Sequence, residues 1–295
     1  MKRAIAAALP FAVASLSVPS AAQDWDKVEI KATHVAGNVH VLEGAGGNIG
    51  VSVGADGILM VDDQFAPLAN KVMDALDNLD SGELEFVLNT HWHGDHTNAN
   101  PIFGEDASII SHQNVRKRVS TLQKLTRGDQ PALAEAGWPV ITFEQSISIH
   151  FNGEEIRAVH FPHAHTDGDA AVFFTQSKVV HMGDLHFEGR FPFVDLETGG
   201  TVQGAMAAIA AILEQVPADT KFISGHGGPI NSADVVRRDL AMMQATAKIA
   251  EGWHARHLSL ADAKAEGLPE EYARYAWNFV SAERWIETLY NSYAQ

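Results

Sequence analysis

The chain has 295 residues, 46% of them apolar, and carries a formal charge of −16 at neutral pH. That much apolar material can bury one large core or two small ones, and the acidic surface repels phosphate backbones, which argues against nucleic acid as a partner. Cysteine is absent, which excludes disulfides, thiolate metal ligands, a nucleophilic cysteine and a lipoprotein anchor.

Residues 1–22 read as a secretory signal peptide. Lys2 and Arg3 give a positive start, residues 5–18 an apolar stretch, and Ser20-Ala21-Ala22 a small-residue cleavage site, with cleavage expected after Ala22. The stretch is too short for a membrane anchor and is interrupted by Pro10. Export without cysteine suits a bacterial periplasm, so the mature protein is expected to be periplasmic.

Beyond the signal, residues 28–41 and 49–61 alternate or run apolar around Gly-rich turns, the pattern of antiparallel hairpins. Residues 67–79 place Leu68, Val72, Met73, Leu76 and Leu79 near helical spacing. This helix leads into the apolar run 84–88, and directly after it stands Thr90-His91-Trp92-His93-Gly94-Asp95-His96. A strand, helix, strand unit thus carries a ligand-rich loop at a carboxyl strand end, where open α/β sheets place their sites.

Residues 107–111 are predicted as a strand and 113–125 as a helix, whose basic cluster Arg116-Lys117-Arg118 reads as a solvated face. The polar stretch 127–139 could cover a site. Four β runs follow at 141–151, 155–161, 170–174 and 179–182, with His165 just beyond the second and Asp184 just beyond the fourth. Residues 202–213 form an Ala-rich helix and 221–224 a strand, and Gly225-His226-Gly227-Gly228 is the turn after it. Helices are predicted at 232–250, 259–266 and 270–293.

Ligand spacing decides what the histidine cluster can do. Alternate residues of an extended segment project to one side, so His91 and His93 can bind one ion, whereas Asp95 and His96 emerge beyond the turn toward a second. His165 would complete three nitrogen ligands at the first ion and leave a position open, the mark of a catalytic zinc site. Asp95, His96 and His226 would hold the second ion, with Asp184 bridging. Two ions about 3.5–4 Å apart can share one water and deprotonate it near neutral pH. His163 stands close to His165 but lacks the following Thr, so His165 is the expected ligand. His186, Phe187 and Arg190 follow Asp184 and are candidate substrate contacts; with Phe191 and Phe193 the aromatics could line a pocket for an apolar acyl group, and Arg190 could reach a carboxylate. Asp63, at the end of the strand 58–61, is the candidate partner that would fix a ligand imidazole.

The motifs His91-Trp92-His93-Gly94-Asp95-His96, His165-Thr166-Asp167-Gly168-Asp169, Gly183-Asp184 and Gly225-His226-Gly227 resemble, in order and separation, those of the metallo-β-lactamase-fold superfamily of hydrolases. The resemblance covers residues 28–228. It implies an α/β fold, a four-layer αβ/βα sandwich of two mixed β-sheets flanked by helices. The fold would occupy residues 23–230, with a C-terminal helical extension, 231–295, packed on the same domain. It also implies two zinc ions per chain, iron being the other candidate metal, attack by a bridging hydroxide, and a catalytic Asp95 that orients the nucleophile or passes its proton. Lactam-cleaving members often carry Cys or Ser where this chain has Asp184, whereas thioesterase, lactonase and phosphodiesterase branches carry Asp. The expected activity is β-lactamase-like cleavage of a carbonyl C–N, C–O or C–S bond in a small molecule: a lactam, lactone, ester or thioester. The alternatives are a mononuclear iron enzyme resembling persulfide dioxygenases and a non-catalytic zinc-binding envelope protein. The expected partner is a small-molecule substrate, with no nucleic acid and no membrane anchor.

Overall fold

The apolar runs of the amino-terminal half become a seven-stranded sheet whose strands stand in chain order. They are β1 (Lys31–Ala36), β2 (Val39–Glu43), β3 (Ile49–Gly54), β4 (Gly57–Val61), β5 (Leu84–Asn89), β6 (Ser108–His112) and β7 (Ile141–Phe143). β1 to β4 are antiparallel, as short Gly-rich turns require, and β4 to β7 are parallel. The parallel crossovers contain α1 (Ala69–Leu79), the single-turn helices α2 (Gly94–Thr97) and α3 (Asn100–Phe103), and α4 (Gln113–Val119). This computed structural model describes residues 23–79 and 82–294; the expected signal peptide lies outside the described residues.

The second sheet holds β8 (Ser146–Phe151), β9 (Glu154–His160), β10 (Ala170–Phe174), β11 (Val179–His181), β12 (Lys221–Ile223) and β13 (Ile230–Ser232), in the order β13-β12-β11-β10-β9-β8. Its pairs are antiparallel except β11 with β12, whose crossover is α5 (Val202–Gln215). The chain ends with α6 (Ala233–Ala255), α7 (Leu260–Glu266) and α8 (Ala282–Tyr293). Among the described residues, no helix is long and apolar enough to cross a membrane.

Three apolar layers separate four layers of structure. Val41, Leu59, Val61 and Leu88 of the first sheet meet Ile156, Val172, Phe174 and Ile223 of the second. The outer face of the first sheet buries Val51, Met60 and Val87 against Val72 and Leu76 of α1. The outer face of the second buries Phe173, Val180 and Phe222 against Ile209, Leu240, Met243 and Leu289 of α5, α6 and α8. The fold is therefore the expected αβ/βα sandwich of two mixed sheets, and the residues after 231 share its third core.

Three predicted elements differ. The run 141–151 is two strands in different sheets: buried Phe143 enters the central core from the first and buried Phe151 from the second, with exposed Glu144 and Gln145 at the switch. The helix predicted over 113–125 stops at Val119, because Thr121 Oγ1 and Gln123 Nε2 turn back onto the carbonyls of Lys117 and Arg118. The helix predicted over 270–293 is broken. Residues 270–275 form a 3-10 turn, 276–281 run outside helical structure, and α8 starts only where Ser281 Oγ accepts from Arg284 N at 3.2 Å. In the break, Phe191 N donates to Tyr275 O (2.7 Å) and Trp277 Nε1 to Phe191 O (2.9 Å).

Candidate metal centre

The histidine-rich loop leaves the carboxyl end of β5 and turns into α2, so its side chains reach the gap between the two sheets from the first of them. β9 leads into the loop bearing His165, β11 into the turn bearing Asp184, and β12 into the loop bearing His226, all from the second sheet. The result is two adjacent donor sets: His91, His93, His165 and Asp184, and Asp95, His96 and His226, with the donor atoms of each set within 4.8 Å of one another. Every residue expected as a ligand is in one of them.

Hydrogen-bond wiring fixes which ring nitrogens face inward. His165 Nδ1 lies 2.6 Å from the carbonyl of Phe193, which can only accept, so Nδ1 carries the proton and Nε2 is bare. His93 Nε2 lies 2.9 Å from Asp195 Oδ2, which leaves Nδ1 bare. Thr90 Oγ1 spends its proton on Asp62, so His91 Nδ1 donates to it at 3.0 Å and Nε2 is bare. These three lone pairs converge: His93 Nδ1 is 2.8 Å from His165 Nε2 and 3.1 Å from His91 Nε2. Burial holds all three imidazoles below their ordinary pKa, His91 furthest, so they are neutral at pH 7. Neutral nitrogens aimed at one another repel unless a cation sits among them. Asp184 Oδ2 closes the set at 3.4 Å from His165 Nε2 and 3.7 Å from His91 Nε2.

The second set is wired by charge. His96 Nε2 and Asp184 Oδ1 stand 3.1 Å apart, and both are buried with no well-aligned hydrogen bond among the described residues. His226 Nε2 is 3.2 Å from Asp95 Oδ2 and 3.4 Å from Asp184 Oδ1. Burial opposes a charge on His226, but the Asp184 and Asp95 carboxylates outweigh it and raise its pKa to about 9; His96 is raised well above its ordinary value against burial by Asp184, Asp62 and Asp95. The donor sets thus fit divalent cations in both composition and polarity. Close backbone approach is part of the design: a Cβ at Gly47 would collide with the His96 ring, and one at Gly225 with Asp184 Oδ1.

In the metal-free protein His96 and His226 therefore hold protons that a cation must displace. Loading with zinc at pH 7.5 is expected to release about two protons per chain from side chains, read by calorimetry in buffers of different ionisation enthalpy. Zero release contradicts the cationic pair. The metal-free chain has its own pH dependence. With a folded pKa near 9 against 6.5, His226 contributes stability that is complete below pH 6.5 and is lost as pH rises through 9.

Asp63 does not hold an imidazole. Its carboxylate accepts from Ala99 N at 3.1 Å, and Asp62, facing the other way at the strand end, accepts from His96 Nδ1, Thr90 N and Thr90 Oγ1, each at 2.7 Å. Asp62 adopts φ 63, an uncommon backbone for a non-glycine residue, to do so. His186 is turned away from the cavity, 2% exposed and bonded to Ser224 and Asp239. Phe187 and Arg190 line a cavity of about 610 Å³ over the donor sets, together with Asp95, Phe193, Trp277 and Phe279. Arg190 stacks 5.0 Å from Trp277 and pairs with no carboxylate among the described residues. Asp195, absent from the sequence-based list, is held bidentately by Arg127 (3.1 and 2.7 Å) and in turn holds His93. His163, the rejected neighbour of His165, bonds the carbonyl of Gly199 at 3.1 Å.

Residues 33–227 match the family model of the metallo-beta-lactamase superfamily. The chain belongs to that superfamily. Its hydrolases are generally metal-dependent, and the paired donor sets place a candidate metal centre where the matched region brings its histidines and aspartates together. No curated protein matches by sequence. Among solved structures, the chain is similar to the stereoselective inverting sec-alkylsulfatase Pisa1 from Pseudomonas sp., with 17% identity, a TM-score of 0.68, and coverage of 90% of this chain and 50% of that one. This superfamily member thus spans about half the length of the sulfatase. It is similar over 73% of its length to 99% of a metallo-beta-lactamase from Pontibacter korlensis (13% identity, TM-score 0.60). The metallo-beta-lactamase DIM-1 aligns over 75% of this chain and 100% of its own (16% identity, TM-score 0.59). At these identities the likeness is one of fold.

Proposed function

We propose that this superfamily member is a periplasmic di-zinc hydrolase that opens a carbonyl C–N, C–O or C–S bond in a small molecule. The observation that carries the reading is the convergence of three bare imidazole nitrogens beside a second set made of two imidazoles and the Asp95 carboxylate. Two divalent ions held there would polarise the carbonyl and acidify a shared water. His91, His93 and His165 would hold the first ion, His96 and His226 the second, and Asp184 would bridge. Asp95 would serve the second ion while its open edge, 29% exposed, orients the attacking water or takes its proton. The aromatic wall of Phe187, Phe193, Trp277 and Phe279 would receive an apolar body, and the unpaired Arg190 an anionic group.

The test is metal analysis of the purified protein, followed by a panel of lactams, lactones, esters and thioesters with zinc added. Two zinc per chain and turnover of one carbonyl class is the expected result. A single iron with oxygen consumption, or two zinc with no turnover of any member, would overturn it. Because the sulfatase likeness extends over the C-terminal helices, a secondary alkyl sulfate belongs in the panel; cleavage of that ester alone would overturn the carbonyl reading. Secretion is checked by fractionation and by the mass of the mature amino terminus, expected at Gln23.

Choice of the right histidine is checked separately. His165→Ala is expected to lower bound zinc from two toward one per chain and turnover by about a hundredfold or more, and His163→Ala to keep two zinc per chain and turnover within about threefold. The reverse order would assign the ligand to His163.

A further inference from the structure

Behind the second donor set lies a buried polar chain that the proposed reaction does not use. Asn231 Nδ2 donates to Ser224 Oγ at 2.8 Å, Ser224 Oγ lies 2.6 Å from His186 Nδ1, and His186 Nε2 lies 3.0 Å from Asp239 Oδ2. Asp239 accepts, so His186 carries a proton on Nε2; with a neutral ring Nδ1 accepts the Ser224 hydroxyl proton, and the Ser224 oxygen accepts from Asn231. Asp239 is filled further by Gly189 N at 3.1 Å and by Arg238 at 2.8 and 2.9 Å.

The order Ser, His, Asp is that of a nucleophilic triad, but Ser224 is 0% exposed, so a substrate carbonyl cannot approach its hydroxyl. Its place in the chain points elsewhere. His186 stands two residues after Asp184, Ser224 two residues before His226, and Asp239 lies on α6. The backbones of the two loops are also joined: Gly225 N donates to Gly183 O (2.8 Å) and His186 O (3.1 Å), and Glu188 N to His226 O (2.8 Å). Asn48 ties the same loop to the first sheet through Ser224 O and Gly225 O, both at 2.8 Å.

We propose that Ser224, His186 and Asp239 are positioning residues that clamp the Asp184 and His226 loops to α6, the first of the three C-terminal helices, so that α6 sets the geometry of the second metal site. The inference rests on the two-ion reading. A fully satisfied polar chain in a dry interior has one stable arrangement, whereas apolar side chains of the same volume would let the two loops slide. The three imidazoles of the first donor set lie outside this clamp, since His93 is held by Asp195 and His165 by Phe193, so the first ion would keep those three ligands and share with the second only Asp184.

The test uses the full chain with Asp239→Ala, Ser224→Ala and the conservative Asp239→Asn. In zinc titrations against a competing chelator, the first two variants are expected to weaken the second ion about 10–100-fold and leave the first within about threefold, with Asp239→Asn recovering part of the loss. In the metal-free protein, amide exchange across 183–189 and 224–228 is expected to quicken about tenfold or more, with 84–96 unchanged. Wild-type affinity and exchange in both variants, or equal loss of both ions, would overturn the clamp. Ser224→Ala guards against misfolding of Asp239→Ala, because it removes one hydroxyl and keeps the loop's volume. If the wild type binds a single ion, the two-ion reading fails on its own, and the exchange measurement still decides the clamp.

Discussion

Asp95→Ala is expected to lower turnover about a thousandfold and to leave a folded protein that binds one ion tightly. The size follows from two losses at once. Removing the carboxylate takes a ligand from the ion that His96 and His226 would hold, their Nε2 atoms lying 3.7 and 3.2 Å from it, and takes the group that would steer the attacking water. A factor of a thousand corresponds to about 4 kcal/mol of transition-state stabilisation, the scale of losing one well-placed electrostatic contact. Burial raises the Asp95 pKa, but His96 and His226 outweigh it and bring it to about 2, so the carboxylate is ionised at every working pH. Its side chain is 29% exposed and fills no core, which is why the fold should survive. Stoichiometry and melting curves separate the outcomes: near-normal turnover with two ions bound would contradict the role given to Asp95.

The second large effect is on stability. Trp285 of α8 is 0% exposed, stacks on Phe191 at 5.7 Å, and donates to Thr246 Oγ1 at 3.2 Å. Trp285→Ala is expected to cost about 3–5 kcal/mol and lower the melting midpoint by roughly 10 °C. The damage should also reach the cavity. Phe191 holds the backbone of Tyr275 and the indole of Trp277, so a loosened Phe191 frees the aromatic wall, and KM should rise more than kcat falls. A midpoint shifted by less than about 2 °C would show that α8 is not integral to the core.

What the sequence reveals depends on how far apart cooperating residues stand. His91, His93, Asp95 and His96 are legible because a strand end and a turn decide locally where each side chain points. His165, Asp184 and His226 are legible because each follows an apolar strand and falls in the order of a known pattern. Asp62 and Asp63 are adjacent and chemically identical, and only the twist of the strand end decides which one meets His96. Asp195 lies 102 residues from the imidazole it orients, and no local rule links the two. The break at 276–281 had one available signal, Ser281 as a helix N-cap inside a run of otherwise helical spacing. The helical spacing masks it, and with it the place of Trp277 and Phe279 in the cavity wall.

That break separates two jobs that many sites entangle. The cavity floor is built by loops that carry the candidate donors, held by close glycine approaches at His96 and Asp184 and by the buried carboxylates of Asp62 and Asp195. Its far wall is a six-residue strip, 276–281, that supplies no donor atom. Under the proposed reading, exchanging Phe279 would redraw the shape a molecule must have to enter without removing a donor residue. The shape a substrate must have is then set, on that reading, by a part of the chain that holds no donor atom.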